Sequence, residues 1–238
     1  MRKVMAALLM VLTLVAGMTA VAEVRKRLQD VSVGDIITFG HYEQDNDMEN
    51  GPEMIEWIVL DIQDSEALLL SRCGLEVKPY NTEYTDVTWE TCTLRSWLNK
   101  EFLTAAFSVE EQSAILTTTV DNSDAQASSD YDTSGGNDTD DRVFLLSIME
   151  ANRYLEDRTS PRAIVTPTTY AIAMGAETYE NGTASGWLLR SPGYQQNYVA
   201  TYGSFYYGCS VDDETVVIRP AIRLNLESGN LYYSGSAE

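Results

Sequence analysis

The chain has 238 residues, of which 44% are hydrophobic and 22% are charged, and its formal net charge is −20. This composition is typical of a globular protein, and the length favours one domain. Because nucleic acids and anionic membranes attract cationic surfaces, the acidity argues against both as partners. His41 is the only histidine, which excludes histidine-rich zinc or iron sites and any catalytic triad that does not use His41 itself.

The first 22 residues predict a secretory signal peptide. Arg2 and Lys3 precede an uncharged apolar stretch, residues 4–21, and the small residues Ala20 and Ala22 form a cleavage site. We therefore expect cleavage after Ala22 and a secreted, extracellular protein that meets a membrane only through this segment before cleavage. The alternative is a retained membrane anchor, because about 18 apolar residues are the lower limit of a membrane span.

The three cysteines exclude a scaffold in which every cysteine is paired, because their number is odd. Two interpretations remain open. Either Cys73, Cys92 and Cys209 are three buried thiols, or one Cys73–Cys92 disulfide leaves Cys209 free.

The rest of the chain predicts one globular domain over residues 33–226, between a charged lead-in, 23–32, and a C-terminal tail, 227–238. The domain begins with three short runs rich in apolar and β-branched residues, which are typical of strands. These runs span residues 35–40, 54–62 and 67–71. The polar residues 63–66 separate the last two runs, so we expect a hairpin there.

Four later segments carry signals for helices. They span residues 94–103, 108–115, 147–155 and 166–174. The predicted N-cap of the first helix is Thr93, and its apolar face consists of Leu94, Trp97, Leu98, Phe102 and Ala105. Ser108 with Glu111, and Ser147 with Glu150, have the spacing of capping boxes. Further strands are predicted at residues 142–146, 186–193 and 216–226.

The two closing strands each carry an arginine followed by a proline. Arg190 precedes Pro192 in the first strand, and Arg219 precedes Pro220 in the second. Proline fixes φ and removes a backbone donor, so it ends the ladder of hydrogen bonds. We expect structural roles for Arg219, Pro192 and Pro220, because a buried guanidinium needs acceptors. Two interpretations of Arg190 stay open, the same structural pairing and binding of a ligand carboxylate through its forked donors.

Four motifs, taken in order, resemble a family of bacterial, often secreted domains known as domain of unknown function 6273. The motifs are TWETCTLRSWLN (88–99), TSGGNDT with VFLLS (133–147), WLLRSPG (187–193) and IRPAIRLNL (218–226). The resemblance covers residues 33–226, nearly the whole chain after the signal peptide. It implies no reaction, because the family is uncharacterised.

More remotely, the closing strands resemble the end of the C-type lectin-like fold, which is shared with formylglycine-generating enzymes. This resemblance implies an α+β domain with a mixed sheet, flanking helices, long irregular loops, and first and last strands that pair. The sugar-binding signatures of calcium-dependent lectins and the cysteine pair of formylglycine-generating enzymes are both missing from this sequence. Neither activity is therefore transferred, because one fold supports many functions.

The acidic stretch at residues 121–141 contains a candidate calcium loop. Oxygen-bearing side chains occupy positions 1, 3, 5, 9 and 12 of a twelve-residue frame with glycine at position 6, a spacing that resembles an EF-hand. The candidate ligands are Asp130, Asp132, Ser134, Asp138 and Asp141. The alternative is a solvated acidic loop that holds no ion.

Six aromatic residues between the closing strands predict a ligand-binding surface, to which Arg190 is added. They are Tyr194, Tyr198, Tyr202, Phe205, Tyr206 and Tyr207. Tyrosine rings stack on sugar faces and peptide backbones and also offer a hydroxyl. The alternative is that some of them, such as Tyr198 and Tyr202, pack against the sheet.

These features predict a secreted, non-catalytic recognition domain whose partner is an extracellular glycan, peptide or cell-wall ligand, with calcium as the candidate cofactor. The alternative is an extracellular hydrolase that acts on glycosides with paired carboxylates. A third interpretation is a structural module without a small ligand, in which the tyrosines would be buried.

Overall fold

The computed structural model describes residues 31–127, 132–155, 163–179, 182–196, 198–203, 208–228 and 232–235. Helices and several antiparallel sheets confirm the predicted α+β class. The predicted signal peptide lies outside the described residues. Within them, every helix is too short or too polar to span a membrane.

The described residues form thirteen strands and five short α-helices. The strands are β1 (Ile36–Tyr42), β2 (Glu53–Gln63), β3 (Glu66–Ser71), β4 (Glu76–Val77), β5 (Thr118–Val120), β6 (Thr139–Asp141), β7 (Val143–Phe144), β8 (Trp187–Pro192), β9 (Tyr198–Tyr202), β10 (Gly208–Ser210), β11 (Val217–Ile218), β12 (Ala221–Asn225) and β13 (Tyr232–Gly235). The helices are α1 (Thr93–Trp97), α2 (Leu103–Ala106), α3 (Val109–Ala114), α4 (Ile148–Leu155) and α5 (Thr169–Ala173). A π-helical turn (Leu98–Phe102) joins α1 to α2, and a 3₁₀ turn covers Asp124–Gln126.

Two main sheets contribute to one hydrophobic core. The larger sheet has the strand order β13-β1-β2-β3-β12-β7, and the smaller has the order β10-β9-β8-β11-β4. β1 pairs with β13, so the first and last described strands lie side by side. Within the predicted C-terminal tail, 227–238, residues 232–235 form this strand at the free edge of β1.

The predicted first strand and the hairpin that follows it are confirmed. β2 and β3 pair antiparallel as far as Gln63 opposite Glu66. Asp64 in the turn has φ +54°, a left-handed conformation that aspartate tolerates better than most residues. Trp57 on β2 is fully buried and donates its indole N–H to the carbonyl of Phe39 at 2.7 Å, which ties β2 to β1.

The first predicted helix differs from the structure in its start and in part of its apolar face. Thr93 is the first helical residue instead of the N-cap, and its hydroxyl accepts a hydrogen bond from the backbone N–H of Thr82 at 3.1 Å. A π-helical turn contains an extra residue, so it shifts the phase of the helix after Phe102. Ala106 therefore occupies the buried face, and the predicted Ala105 is exposed.

Both predicted capping boxes are confirmed. The Ser108 hydroxyl accepts from the N–H of Glu111 at 3.2 Å, and the Glu111 carboxylate accepts from the N–H of Ser108 at 2.8 Å. Ser147 and Glu150 make the same pair of bonds at 3.0 and 2.9 Å. The last helix begins later than predicted, because the hydroxyl of Thr168 caps it.

Ser108→Ala should lower the free energy of unfolding by about 1 kcal/mol, because the N–H of Glu111 loses its acceptor at the start of α3. Urea denaturation followed by tryptophan fluorescence measures this change. Ser108→Thr keeps the hydroxyl and is the matched control. Equal losses in the two variants would show that the hydroxyl does not stabilise the helix.

The two closing strands lie side by side at their starts. β11 pairs with β8 in parallel, with Val217 opposite Trp187. The predicted strand 216–226 is divided by Arg219 and Pro220 into β11 and β12, which belong to different sheets. Pro220 thus lies where the chain crosses between sheets.

Arg219 is buried where the two sheets meet. Its Nε donates to the carbonyl of Ser71 at 2.8 Å, and its guanidinium lies 5.2 Å from the centre of the Trp187 ring. Burial lowers the pKa of Arg219 to about 10, so the side chain remains charged at neutral pH. These contacts agree with the predicted structural role.

All three cysteines are free thiols, so the structure contains no Cys73–Cys92 disulfide. Cys92 is buried and donates from Sγ to the carbonyl of Trp89 at 3.4 Å. Burial raises the pKa of Cys92 to about 12, so its thiol is protonated at neutral pH and packs as an apolar side chain.

Candidate functional site

Three loops meet beside the end of β8 and form what we call the loop face. The loops span residues 82–91, 132–138 and 193–196. Gln196 joins them, because its carbonyl accepts from the N–H of Val87 at 3.3 Å. Its side-chain amide donates to the carbonyls of Val87 and Ser134 at 2.9 and 3.0 Å. The loop face is therefore held together by bonds between segments far apart in the sequence.

Two glycines allow the middle loop to pack against its neighbours. A Cβ on Gly135 would lie 2.0 Å from the carbonyl oxygen of Asn122, and a Cβ on Gly136 would lie 2.8 Å from the side chain of Thr88. Gly136 also has φ +90°, which is strained for any other residue. The loops therefore approach one another more closely than residues with side chains permit.

The loop face exposes two tyrosines among acidic side chains. Tyr194 is 53% exposed, as the sequence analysis expected for a binding surface, and Tyr84 is 56% exposed. The exposed acidic residues are Glu83, Asp86, Glu90, Asp132 and Asp138. The three loops contain no lysine or arginine. Sequence reasoning missed Tyr84, although an aromatic residue within a polar, acidic segment was a visible signal.

Arg190 is buried and does not form a ligand clamp. Nε donates to Oδ1 of Asn122 at 3.2 Å, Nη1 donates to the carbonyl of Leu145 at 2.8 Å and to the carboxylate of Glu150, and Nη2 donates to the carbonyl of Asp121 at 3.0 Å. Four of its five N–H donors are therefore used inside the protein. The structural interpretation of Arg190 replaces the ligand-binding one.

A small pocket lined in part by Arg190 lies beside the loop face, and it has room for about one water molecule. Its lining residues are Asn122, Ser123, Gln126, Ala127, Gly135, Arg190, Ser191 and Pro192. Gly135 belongs both to the pocket and to the middle loop.

The other predicted aromatic residues of the binding surface differ in their positions. Tyr202 is fully buried, packs edge-on against Trp187 with ring centres 5.5 Å apart, and donates its hydroxyl to Asn152 at 3.1 Å. It is a core residue, which corrects the prediction that it contacts ligand. Tyr198 lies in β9, opposite Ser210 of β10. Phe205, Tyr206 and Tyr207 lie outside the described residues.

Asp141, the last residue of the predicted calcium frame, is buried in a hydrogen-bond network. Its carboxylate accepts from the indole of Trp89 at 2.8 Å, from Nε of Arg95 at 2.6 Å and from the hydroxyl of Thr139 at 2.8 Å. Asn99 donates to it at 3.4 Å. The carboxylate therefore holds α1 and the segment before it against β6.

The other residues of the calcium frame do not gather around Asp141. Asp132, Ser134 and Asp138 are exposed, and Asp130 lies outside the described residues. Asp132, Asp138 and Asp141 are not among the carboxylates that the described residues bring within 4.8 Å of one another. The arrangement agrees with a solvated acidic loop whose last aspartate stabilises the fold.

Carboxylates come together instead in the loop between β1 and β2. Glu43, Asp45 and Glu53 each place one carboxylate oxygen within 4.8 Å of the other two, and we call this group the acidic cluster. Glu53 accepts from the backbone N–H of Gln44 at 2.7 Å, and Asp45 accepts from the amide of Asn50 at 2.8 Å. Sequence reasoning missed the cluster, because its three acidic residues fit no ligand spacing that the sequence alone reveals.

The fold and the loop face together define an acidic α+β domain with two exposed tyrosines on interlocked loops. The chain belongs to the family described as Domain of unknown function (DUF6273), which matches residues 64–226. The match contains the whole loop face, whereas the acidic cluster precedes it. Comparison with curated proteins and with solved structures finds no match.

Proposed function

We propose that this protein is a secreted, non-catalytic recognition domain that binds an extracellular glycan, peptide or cell-wall ligand on the loop face. The exposure of Tyr84 and Tyr194 carries this proposal. Exposed tyrosines favour binding, because a ring buries a large apolar area while its hydroxyl still forms hydrogen bonds. A tyrosine also has few rotatable bonds, so it loses little entropy when a ligand immobilises it.

The packing of the loop face supports this function. Gln196 bonds to both neighbouring loops, and Gly136 lies against Thr88. A surface that is already organised loses less conformational entropy on binding than flexible loops do. The acidic side chains disfavour anionic ligands, so we expect neutral or cationic groups on the ligand.

A C-type lectin-like architecture is the finer fold that we propose. Its support is the pairing of β1 with β13, which brings the first and last described strands together. Export is also part of the proposal, and its support is the N-terminal sequence alone. Arg2 and Lys3, the apolar stretch and Ala22 have the order of a cleavable signal.

Tyr194→Ala and Tyr84→Ala should each weaken ligand binding by about tenfold or more, because a central aromatic side chain contributes roughly 2 kcal/mol to an interface. A screen of glycans, peptides and cell-wall fragments identifies the ligand, and calorimetric titration measures the affinity. Val109→Ala is the control, since Val109 is 78% exposed on α3 and lies outside the loop face. Unchanged affinity in both tyrosine variants would contradict the proposal.

Incubation of the protein with the glycans of this screen distinguishes recognition from hydrolysis. A recognition domain leaves the glycans intact, whereas a hydrolase releases new reducing ends. If the wild type releases reducing ends and the Glu53→Gln variant does not, the hydrolase alternative is favoured. Glu53 belongs to the acidic cluster with Glu43 and Asp45, where paired carboxylates are available.

A further inference from the structure

We propose that the loop face binds an extended peptide segment rich in arginine, an inference that rests on the proposed function of this surface. The three loops expose carboxylates of one sign of charge and contain no lysine or arginine. An arginine-rich segment carries the opposite charge, and complementary charge selects one partner over others. The exposed carboxylates are Glu83, Asp86, Glu90, Asp132 and Asp138.

The carboxylates of the loop face are available to a cationic ligand. No salt bridge of the described residues involves any of the five. The protein orients two of them, because Glu90 accepts from the side chain of Asn137 at 2.9 Å and Asp138 accepts from the backbone N–H of Asn122 at 3.0 Å. A carboxylate has two oxygens that each accept more than one hydrogen bond, so both retain capacity for a ligand.

Arg95 lies beside the loop face, but its donors are used inside the protein. Its Nε donates to the carboxylate of Asp141 at 2.6 Å, and its other two nitrogens donate to the carbonyls of Glu90 and Asp140 at 3.3 Å each. The charge of Arg95 is therefore balanced by Asp141. The carboxylates on the exposed side of the loops keep their negative potential.

The two exposed tyrosines favour arginine among the possible cations. A guanidinium has five N–H donors and no acceptor, so it matches carboxylates, which only accept. Its planar group also stacks on aromatic rings, which attract cations. Tyr84 lies in the same short loop as Glu83 and Asp86. The protein contains one contact of this type, since the guanidinium of Arg153 lies 5.2 Å from the centre of the Tyr154 ring.

The layout of the surface favours an extended chain over a small ligand. The pocket beside the loop face has room for about one water molecule, which is too little for a sugar ring. Tyr84 and Tyr194 belong to different loops, and the carboxylates are divided between two loops. A single exposed ion pair contributes little to affinity, so a segment with several arginines gains by contacting more than one loop at once.

Calorimetric titration of the purified protein with a synthetic peptide of alternating arginine and serine tests the inference. We expect saturable binding. The same peptide with citrulline in place of arginine is the control, because citrulline keeps the shape of the side chain and lacks its charge. A lysine–serine peptide should bind more weakly than the arginine peptide, since an ammonium does not form the planar paired contacts. Equal binding of the arginine and citrulline peptides, or no binding of the arginine peptide at millimolar concentration, overturns the proposal.

The combined variant Glu83→Gln, Asp86→Asn and Asp132→Asn should weaken binding of the arginine peptide by about tenfold, because three exposed charges are lost together. Tyr194→Phe should keep the affinity, and Tyr194→Leu should lower it, because the aromatic ring and not the hydroxyl attracts the cation. Circular dichroism confirms that each variant is folded. Full affinity in the combined variant overturns the proposal.

The matched control combines Glu66→Gln, Glu101→Gln and Glu110→Gln. These three residues are exposed and lie outside the loop face, so the control changes the net charge by the same amount. It should bind the arginine peptide nearly as well as the wild type. If both combined variants lose the same affinity, binding follows the net charge of the protein and not the loop face, and the proposal fails.

A chitosan oligosaccharide separates this inference from the proposed function, because it carries ammonium groups on a glycan. If it binds to the loop face and the arginine peptide does not, the recognition function is retained and the peptide inference fails. If Tyr84→Ala and Tyr194→Ala leave the binding of every ligand unchanged, the proposed function fails as well. Binding of the arginine peptide that is lost in the tyrosine and carboxylate variants supports both.

Discussion

Arg190→Leu should lower the free energy of unfolding by about 3–5 kcal/mol, the usual cost of removing one partner from a buried, hydrogen-bonded ion pair. The substitution removes the donor that Arg190 supplies to the carboxylate of Glu150, Oδ1 of Asn122 and the carbonyls of Leu145 and Asp121. Urea denaturation followed by tryptophan fluorescence measures the loss.

Arg72→Leu is the matched control for Arg190→Leu. Arg72 also pairs with a glutamate, Glu56, at 2.8 Å, but its side chain is 50% exposed. An exposed ion pair contributes about 0–1 kcal/mol, so this variant should differ little from the wild type. Similar small losses in both variants would show that the buried network around Arg190 does not stabilise the fold.

Asp141→Ala should lower the free energy of unfolding by about 3 kcal/mol, because its carboxylate is a buried acceptor for four side chains and its removal takes that acceptor from their donors. The four donors are Trp89, Arg95, Thr139 and, at the longest distance, Asn99. Since Trp89 lies within the loop face, we also expect the variant to lose ligand binding. Denaturation in the presence of chelator measures the stability, and titration measures the binding.

Asp140→Asn is the control for Asp141→Ala, because Asp140 is the exposed neighbour and contacts the hydroxyl of Thr119 at 2.8 Å. It should retain wild-type stability. The use of chelator separates two roles of Asp141. A structural carboxylate stabilises the protein without calcium, whereas a loss of stability seen only with calcium would favour the predicted calcium frame.

The features that the sequence predicted well depend on residues close together in the chain. The hairpin between β2 and β3 follows from two apolar runs and a polar turn. The capping boxes of Ser108 and Ser147 each need only a glutamate three residues later. Local signals of this kind predict the structure correctly, because secondary structure itself fixes the distance between the two residues involved.

The features that the sequence could not provide depend on distant partners. Arg190 donates to residues about forty to seventy positions away, so the sequence left both a structural and a ligand-binding role open. Tyr202 and Tyr194 lie in the same short segment, and only the contact of Tyr202 with Trp187 assigns it to the core. The π-helical turn and the pairing of β13 with β1 likewise have no local signal.

The acidic cluster depends partly on residues close together in the chain and partly on distant ones. The register of β1 and β2 places Tyr42 opposite Glu53, which brings the carboxylates on both sides of the loop together. The predicted strands over residues 35–40 and 54–62 flank these carboxylates, but no pairing or register between the two strands was predicted. The enclosed position of Glu43 Oε1, by contrast, depends on tertiary packing and required the structure.

The crossing at Pro220 links the folding of the two sheets. β11 and β12 are consecutive in the chain but belong to different sheets, and the Arg219 side chain bridges both from the same junction. If one sheet separates from the core, a strand of the other sheet is therefore displaced as well. The domain should melt as one cooperative unit, with fluorescence and circular dichroism reporting the same midpoint.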